Sequence, residues 1–222
     1  GMATTLLSSN FAAFIPAQVA GGPGYGSPAF AELHIADEVS TANAAIYNAA
    51  LSQPQYNGMG TTLVLAWFYD NRVSVGHVGD SRLYRLRGDD FEQLTKDHSL
   101  LQEQLDSGMI TPEEARYSQN KNLVTRALGV EADVQTEIHD YDVRVGDILM
   151  LCSDGLNDMI EDEEIALTLR TLGRNLPLAA DQLIEMANDN GGRDNVSVIL
   201  IKVCGDFAMH RGWWHSLLVR FK

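Results

Sequence analysis

The chain has few basic residues and no long apolar run. It carries 16 Lys and Arg against 30 Asp and Glu in 222 residues, which gives a formal net charge of −14. A surface of that sign repels the phosphate backbone of nucleic acid, so we expect no nucleic-acid partner. No stretch reaches the roughly 18 consecutive apolar residues that a membrane-spanning helix needs, so we expect no transmembrane span.

Cysteine is also scarce. Cys152 and Cys204 each lie in or beside an apolar run, without the spacing of a metal-binding motif. This pattern predicts two thiols in the core and no disulfide framework, which is typical of a reducing, cytoplasmic location. A hydrophobic content of 45% is ordinary for a packed core, and we expect one domain over residues 1–204.

Charge is unevenly distributed along the chain. Residues 1–31 contain no Asp, Glu, Lys, Arg or His; the first acid is Glu32 and the first histidine is His34. Residues 205–222 instead form a tail that ends in the basic and aromatic sequence MHRGWWHSLLVRFK. This tail could lie on a membrane surface, pack on a partner, or dock on its own domain.

Hydrophobic periodicity predicts a layered α+β domain. Residues 28–51 have apolar residues at helical spacing, and residues 61–95 look like an antiparallel meander with a turn at Asp70 and Asn71. A helical excursion at about 99–122 separates these strands from two further strands, two helices near 161–172 and 177–190, and a last strand. Strands and helices that come in runs, without strict alternation, argue against a parallel sheet.

Three aspartates share one setting at the ends of apolar strands. Asp80 follows VSVGHVG, Asp154 follows ILMLCS, and Asp194 precedes VSVILIKV. Carboxylates gathered together suit a hard cation such as Mg²⁺ or Mn²⁺. An isolated Asp in such a position is more often an Asx turn or a helix cap, and spacing alone does not show that the three converge.

Six sequence blocks follow one another in a recognisable order: GMGTTLVLAWF (58–68), VGHVGDSRLYRLR (75–87), LTKDHSL (94–100), LVTRALG (123–129), GDILMLCSDGL (146–156) and NGGRDNVSVILIK (190–202). With these blocks the sequence resembles the metal-dependent serine/threonine protein phosphatases, the PPM or type 2C family, in its bacterial form. The resemblance implies two packed antiparallel β-sheets flanked by helices, an α-β-β-α sandwich, with residues 99–122 as a flap that helps to choose substrates.

The resemblance also implies a site. Asp154 and Asp194 would be the catalytic metal ligands, Gly155 would add a ligand beside them, and Asp80 would help to hold a third ion. One or two Mn or Mg ions would then activate a water for attack on phosphoserine or phosphothreonine, so the expected partner is a phosphoprotein substrate or a regulatory protein.

Three side chains near these blocks have two interpretations each. Arg82 and Arg126 could bind phosphate or substrate, although arginines paired for structure are commoner. His98 could move a proton, although a histidine in a loop ahead of a helix is more often a turn or cap contact. His77, in the middle of an apolar strand, is expected to be a core histidine.

The N-terminal region departs from the family pattern. The family has an R-x-x-N-E-D block and an A-D-G-M-G-G-H block, which supply a phosphate-binding arginine and an aspartate that bridges two metals. The nearest text here is SSNFAAF (8–14) and VAGGPGYGSPAF (19–30), which contain neither residue type. We therefore expect weakened metal occupancy and reduced activity.

Several alternatives follow from that departure. Glu32, Asp37, Glu38 or a partner chain could complete the site, or the chain could be a catalytically inactive module that binds phosphoproteins. It could also be a shortened form of a longer protein. A shortened sheet would leave a strand edge exposed and could favour a homodimer across it.

Overall fold

The computed structural model describes residues 27–115, 118 and 123–208. These form six helices and seven strands. In chain order they are α1 (Pro28–Ser52), β1 (Leu63–Tyr69), β2 (Arg72–Val78), β3 (Arg82–Arg87), β4 (Asp90–Gln93), α2 (Leu100–Asp106), α3 (Pro112–Ala115), β5 (Glu137–Asp142), β6 (Ile148–Cys152), α4 (Asp154–Asn157), α5 (Asp162–Leu172), α6 (Leu176–Asp189) and β7 (Val198–Lys202), with a 3₁₀ turn at Pro54–Tyr56.

The strands form two antiparallel sheets packed face to face. One sheet has the order β1-β2-β5 and the other has the order β4-β3-β6-β7. Apolar side chains from both inner faces fill the space between them, among them Val73, Val75, Leu83, Leu149 and Leu151. Helix α1 covers the outer face of the three-stranded sheet, and α5 and α6 cover the other. The predicted α-β-β-α sandwich is therefore confirmed.

Strand β6 shows how burial on both faces determines sequence. Ile148, Met150 and Cys152 pack toward α5 and α6, whereas Leu149 and Leu151 pack toward the other sheet. Because alternate residues of a strand point to opposite faces, a strand between two apolar layers has an unbroken apolar sequence. The run ILMLC therefore marks the centre of the four-stranded sheet.

The turn between β1 and β2 forms as predicted. Asp70 and Asn71 have φ of 44° and 54°, the left-handed conformation that both central residues of a type I′ hairpin turn require. This turn sets the pairing of Tyr69 with Arg72 and, from there, the register of the whole hairpin.

Other predicted elements are confirmed within the described residues. Helix α1 ends one residue beyond the prediction, and α5 and α6 lie within a residue of their predicted bounds. In the flap, the Thr111 hydroxyl accepts a hydrogen bond from the Glu114 amide, and the Glu114 carboxylate accepts one from the Thr111 amide. This reciprocal pair is the capping box that the sequence suggested.

The prediction for the two cysteines was half wrong. Cys152 is buried as expected, whereas Cys204 is exposed. The reason is that β7 ends at Lys202, so Cys204 lies beyond the sheet. Its thiol donates a hydrogen bond to the Lys202 carbonyl.

Some predictions fall outside the described residues or stay open. The N-terminal text at 8–14 and most of 19–30 lies outside them, as does the tail from residue 209. Phe207 packs against the core between the sheets, and its amide donates to the Asn71 side chain, so the described chain remains attached to the sandwich up to this point. The domain boundary after 204 and a homodimer remain predictions.

None of the described helices is both long enough and apolar enough to span a membrane.

Candidate functional site

Strand topology brings the three predicted aspartates to one edge of the four-stranded sheet. Asp80 immediately precedes the β3 region, Asp154 follows β6 and Asp194 precedes β7. Because β6 pairs antiparallel with both β3 and β7, the end of β6 lies beside the beginnings of the other two strands. The register shows this directly, since Cys152 pairs with both Arg82 and Val198.

The acids at these strand ends disfavour one another's ionisation. Burial, and then the charge of Asp154, raises the pKa of Asp80 to about 6. Burial, and then the charge of Asp194, raises the pKa of Asp154. Carboxylates that disfavour one another's ionisation in this way form a negatively charged group that a cation would stabilise.

A fourth acid, Asp158, belongs to the same group. Burial is the main cause of the raised pKa of both Asp80 and Asp154, and the charge of Asp158 is one of the smaller contributions in each case. Asp158 caps α4, and its amide donates to the Asp154 carbonyl at 2.9 Å. Asp158 was not among the predicted site residues. It lies four residues, about one helical turn, beyond Asp154.

Backbone contacts hold the Asp154 and Asp194 segments together. The Ser153 hydroxyl donates to the Asn195 carbonyl at 3.0 Å and accepts from the Ser197 amide at 3.0 Å. A Cβ on Gly155 would lie 2.4 Å from the Asn195 carbonyl oxygen, so this close approach requires glycine. The two aspartates are therefore fixed relative to each other by main chain as well as by side chains.

The donor set fits a hard divalent cation. The residues at this edge offer carboxylate oxygens from Asp80, Asp154, Asp158 and Asp194 and the backbone around Gly155, and oxygen is the ligand that Mg²⁺ and Mn²⁺ prefer. Within the described residues, however, no three of these carboxylates have oxygens that all lie within 4.8 Å of one another.

Glu32, Asp37 and Glu38 are exposed on α1. That helix packs on the three-stranded sheet, whereas the strand-end acids lie at the edge of the four-stranded one.

Arg82 is held by a partly buried ion pair. Its Nε and Nη2 donate to the Asp97 carboxylate at 2.7–3.1 Å, and its Nη1 donates to the Tyr84 hydroxyl at 2.9 Å. Burial opposes the charge, but the hydrogen bonds to Asp97 raise the pKa of the guanidinium above its usual value. All three nitrogens of this guanidinium therefore donate within the protein.

Arg126 lies at a cavity of about 310 Å³ beside the flap. Its Nη1 donates to the Gln135 carbonyl at 3.2 Å and lies 3.1 Å from His98 Nε2. The same cavity is lined by Lys96 and by Gln102, Glu103 and Asp106 of α2. Arg126 is thus the better placed of the two predicted arginines to meet a ligand.

One group within the described residues has donor atoms close enough to bind a single cation: His77, His98 and Glu137, whose ligand atoms lie within 4.8 Å of one another. The hydrogen bonds of His98 disfavour metal binding by its ring. Its Nδ1 accepts from the Gly79 amide at 3.1 Å, so in the neutral ring the proton is on Nε2, where it can donate to Glu137 at 3.1 Å. A metal at Nε2 would have to displace that proton. His77 is 1% exposed, as its prediction as a core residue requires.

Comparison with known proteins decides the family. A sequence profile described as "Protein phosphatase 2C" matches residues 27–194. The chain belongs to the protein phosphatase 2C family. It is 40% identical over 171 residues to the serine/threonine phosphatase stp of Listeria welshimeri, a match that covers 77% of this chain and 68% of that protein. It is also 40% identical over 150 residues to the protein phosphatase PhpP of Streptococcus pneumoniae, with 67% and 60% covered.

Solved structures of this phosphatase family agree with the fold. The catalytic domain of the serine/threonine protein phosphatase PstP, solved with two manganese ions, matches with a TM-score of 0.73 and 36% identity, over 84% of this chain and 75% of that one. These relatives are protein phosphatases by name, and stp and PstP are named as serine/threonine phosphatases. The chain spans 60–68% of the length of the two curated relatives.

Proposed function

We propose that this chain is a divergent metal-dependent protein phosphatase that hydrolyses phosphoserine and phosphothreonine with metal-activated water. The observation that carries the proposal is the convergence of Asp80, Asp154 and Asp194 at one sheet edge, where burial and mutual repulsion raise the pKa of the first two. A carboxylate group of this kind is suited to bind divalent metal.

In this proposal the residues have distinct roles. Asp154 and Asp194 are the catalytic metal ligands, with Gly155 contributing backbone beside them, and Asp80 and Asp158 extend the site on the other side of Asp154. When bound, one or two Mn²⁺ or Mg²⁺ ions would lower the pKa of a water ligand and offset charge on the phosphoryl oxygens. The contact between Gly155 and Asn195 keeps the two catalytic acids in place.

The substrate is a phosphoprotein, which the flap and Arg126 would contact. Arg126 and Lys96 are the cations at the cavity beside α2, and a guanidinium can form two parallel hydrogen bonds with a phosphate. Arg82 is the weaker candidate because its nitrogens already donate to Asp97 and Tyr84.

Activity is reduced in this proposal. Residues 1–31 contain no acid that could bridge two metals and no arginine that could hold the phosphate. Fewer ligands weaken metal binding, and the lost arginine removes a charge-assisted contact.

The test is hydrolysis of a phosphothreonine peptide and of an aryl phosphate while Mn²⁺ or Mg²⁺ is titrated. Turnover should require metal and disappear in Asp154→Ala. A matched control is Asp89→Asn, which removes one negative charge from a fully exposed position in the turn between β3 and β4. Turnover that survives without Asp154, or that needs no metal, would refute the proposal.

The alternative function is a binding module that recognises phosphoproteins without hydrolysing them. The uncharged first 31 residues are the observation that favours it. In that case the folded protein would show no turnover above Asp154→Ala, yet would still bind the phosphopeptide more tightly than its unphosphorylated form.

A further inference from the structure

His98 is a buried residue that contacts several separate segments of the chain. It is 8% exposed, although it lies in the connection between β4 and α2. Around it lie Gly79 at the end of β2, Glu137 at the start of β5, and Arg126 just after the flap. Because a buried polar ring must satisfy its nitrogens inside the protein, these contacts determine its orientation.

Two hydrogen bonds join Gly79 to His98, one to the ring and one to the backbone. The Gly79 amide donates to His98 Nδ1 at 3.1 Å, and the His98 amide donates to the Gly79 carbonyl at 3.0 Å. Gly79 has a φ of +105°, and a Cβ there would lie 2.4 Å from Thr62 Cγ2, so the turn depends on glycine in this one conformation. The next residue in the chain is Asp80.

The other edge and one face of the ring are also fixed. His98 Nε2 donates to Glu137 Oε2, and Glu137 Oε1 accepts from His139 Nε2 at 2.8 Å. The ring stacks on His77 with centroids 4.6 Å apart, and His77 Nε2 in turn donates to the Lys96 carbonyl at 2.7 Å. The imidazole is therefore held in one orientation with Nδ1 facing Gly79.

The same residue lies at the base of the flap, where the two ends of that segment pair. The Thr125 amide donates to the His98 carbonyl at 2.8 Å, and the Leu100 amide donates to the Leu123 carbonyl at 2.9 Å. Ser99 and Val124 form an antiparallel bridge between these two bonds. We call residues 98–100 and 123–125 the flap base. His98 thus connects the flap base to the Gly79–Asp80 turn through one residue.

We propose that His98 is a positioning residue, which holds the Asp80 turn for metal binding and couples that turn to the flap base. In this role the ring acts through Gly79, although His98 also lines the cavity beside the flap. The assignment of Asp80 to the metal site rests on the proposed phosphatase function, whereas the link between His98 and Gly79 does not.

The test compares three variants with the unsubstituted chain. His98→Leu keeps a side chain of similar size but removes the acceptor for the Gly79 amide. His98→Asn places an amide oxygen near the position of Nδ1 and so retains that acceptor, while it loses the bond to Glu137. His139→Ala is the control, because it removes a bond to the same Glu137 but does not contact Gly79 or the flap base.

The first measurement is hydrogen exchange of the Gly79, Leu100 and Thr125 amides by NMR in metal-free protein. We expect His98→Leu to speed exchange at Gly79 by roughly tenfold or more and to speed exchange at the flap base as well, because lost hydrogen bonds permit local opening. His98→Asn should keep Gly79 protected, and His139→Ala should match the unsubstituted chain.

The second measurement is direct Mn²⁺ binding by electron paramagnetic resonance. His98→Leu should bind Mn²⁺ roughly tenfold more weakly, a size typical of residues that orient metal ligands, and His98→Asn should recover most of that loss. The proposal is overturned if His98→Leu leaves Gly79 exchange and Mn²⁺ binding unchanged. It is also overturned if the Gly79 amide of folded His98→Asn exchanges as fast as an unprotected amide does. The Asn variant therefore tests the proposal even if His98→Leu does not fold.

These two measurements do not depend on turnover. If the chain proves to be inactive, the hydrogen-exchange rates and the Mn²⁺ affinities of the variants still decide the role of His98. If it is active, a rise in the Mn²⁺ concentration needed for half-maximal rate, with KM for the phosphopeptide changed less, supports a role through the metal ligands.

Discussion

Burial, and then the negative charge of Asp154, raises the pKa of the Asp80 carboxyl to about 6. The ordinary value is 3.8, so the folded chain binds a proton more tightly than the unfolded chain does. Between those two values the folded state holds more protons, and its stability must fall as pH rises through that window. Without a cation, ionised Asp80 is therefore a source of instability at neutral pH.

We expect Asp80→Asn to stabilise the metal-free protein by about 1–3 kcal/mol near neutral pH, because it removes a charge that is disfavoured there. Well below pH 3.8, where Asp80 is protonated in both states, the gain should vanish. Urea unfolding with a chelator at both pH values measures it, with Asp89→Asn as control. Added Mn²⁺ should reverse the order, and an Asn variant that is less stable than the parent at neutral pH in chelator would contradict the interpretation.

Gly155→Ala should damage the proposed metal site through the backbone. The new Cβ would lie 2.4 Å from the Asn195 carbonyl oxygen, so the segment that carries Asp194 must move. We expect a loss of about 1–3 kcal/mol in unfolding free energy, as for other overpacked sites, and Mn²⁺ binding roughly tenfold weaker. Calorimetric titration with Mn²⁺ and urea unfolding measure both.

Gly205→Ala is the matched control, since a Cβ at that position would meet no heavy atom within 4 Å beyond its chain neighbours. If the Gly155 variant bound Mn²⁺ as the control does, Asp194 would not depend on this contact.

Arg82→Met should lower stability much more than it raises KM. The substitution leaves the partly buried Asp97 carboxylate without the guanidinium that donates to it, and we expect a loss of about 1–3 kcal/mol. A double-mutant cycle with Asp97→Asn should recover a large part of the loss as coupling energy. A normal melting curve with a raised KM in Arg82→Met would instead assign phosphate binding to Arg82.

Arg126→Met should show the opposite pattern to Arg82→Met, with KM for the phosphopeptide raised and stability little changed.

Asn43→Ala should unfold the protein more easily. The Asn43 side chain is 1% exposed, donates to the carbonyls of Glu131 and Ala132 at 3.0 Å each, and accepts from the Gly129 amide at 2.7 Å. Its removal leaves three backbone groups without that partner, and we expect a loss of about 2–4 kcal/mol. Asn48→Ala on the exposed face of the same helix is the control, and equal effects of the two would show that α1 is not fastened to this loop through Asn43.

The sequence was sufficient to predict the fold where local patterns and turn chemistry agree. The apolar period of α1, the Asp70–Asn71 turn and the Thr111–Glu114 capping box each depend on neighbours within a few residues, and each forms as predicted. Asp80, Asp154 and Asp194 could be selected as strand-end acids, but their convergence depends on which strands pair, and resemblance to a family supplied that information.

Contacts between distant segments could not be read from the sequence. His98 was predicted to be either a residue that moves a proton or a turn or cap contact, and neither interpretation included its partners Gly79 and Glu137, which are 19 and 39 residues away along the chain. The sequence left Arg82 with two interpretations for the same reason. Its pairing with Asp97 depends on how β3 packs against the connection that follows β4. Asp158 was missed because nothing in the strand pattern predicted the short helix that places it one turn beyond Asp154.

The antiparallel bridge between Ser99 and Val124 has a consequence for how this protein can vary. A segment whose two ends are joined can change length at small entropic cost, about 0.6 kcal/mol for each doubling of a flexible loop. Insertions, deletions or whole exchanges between residues 101 and 122 should therefore leave the sandwich intact. The length and sequence of this segment can therefore diversify by recombination while the strands and the acids at their ends stay the same.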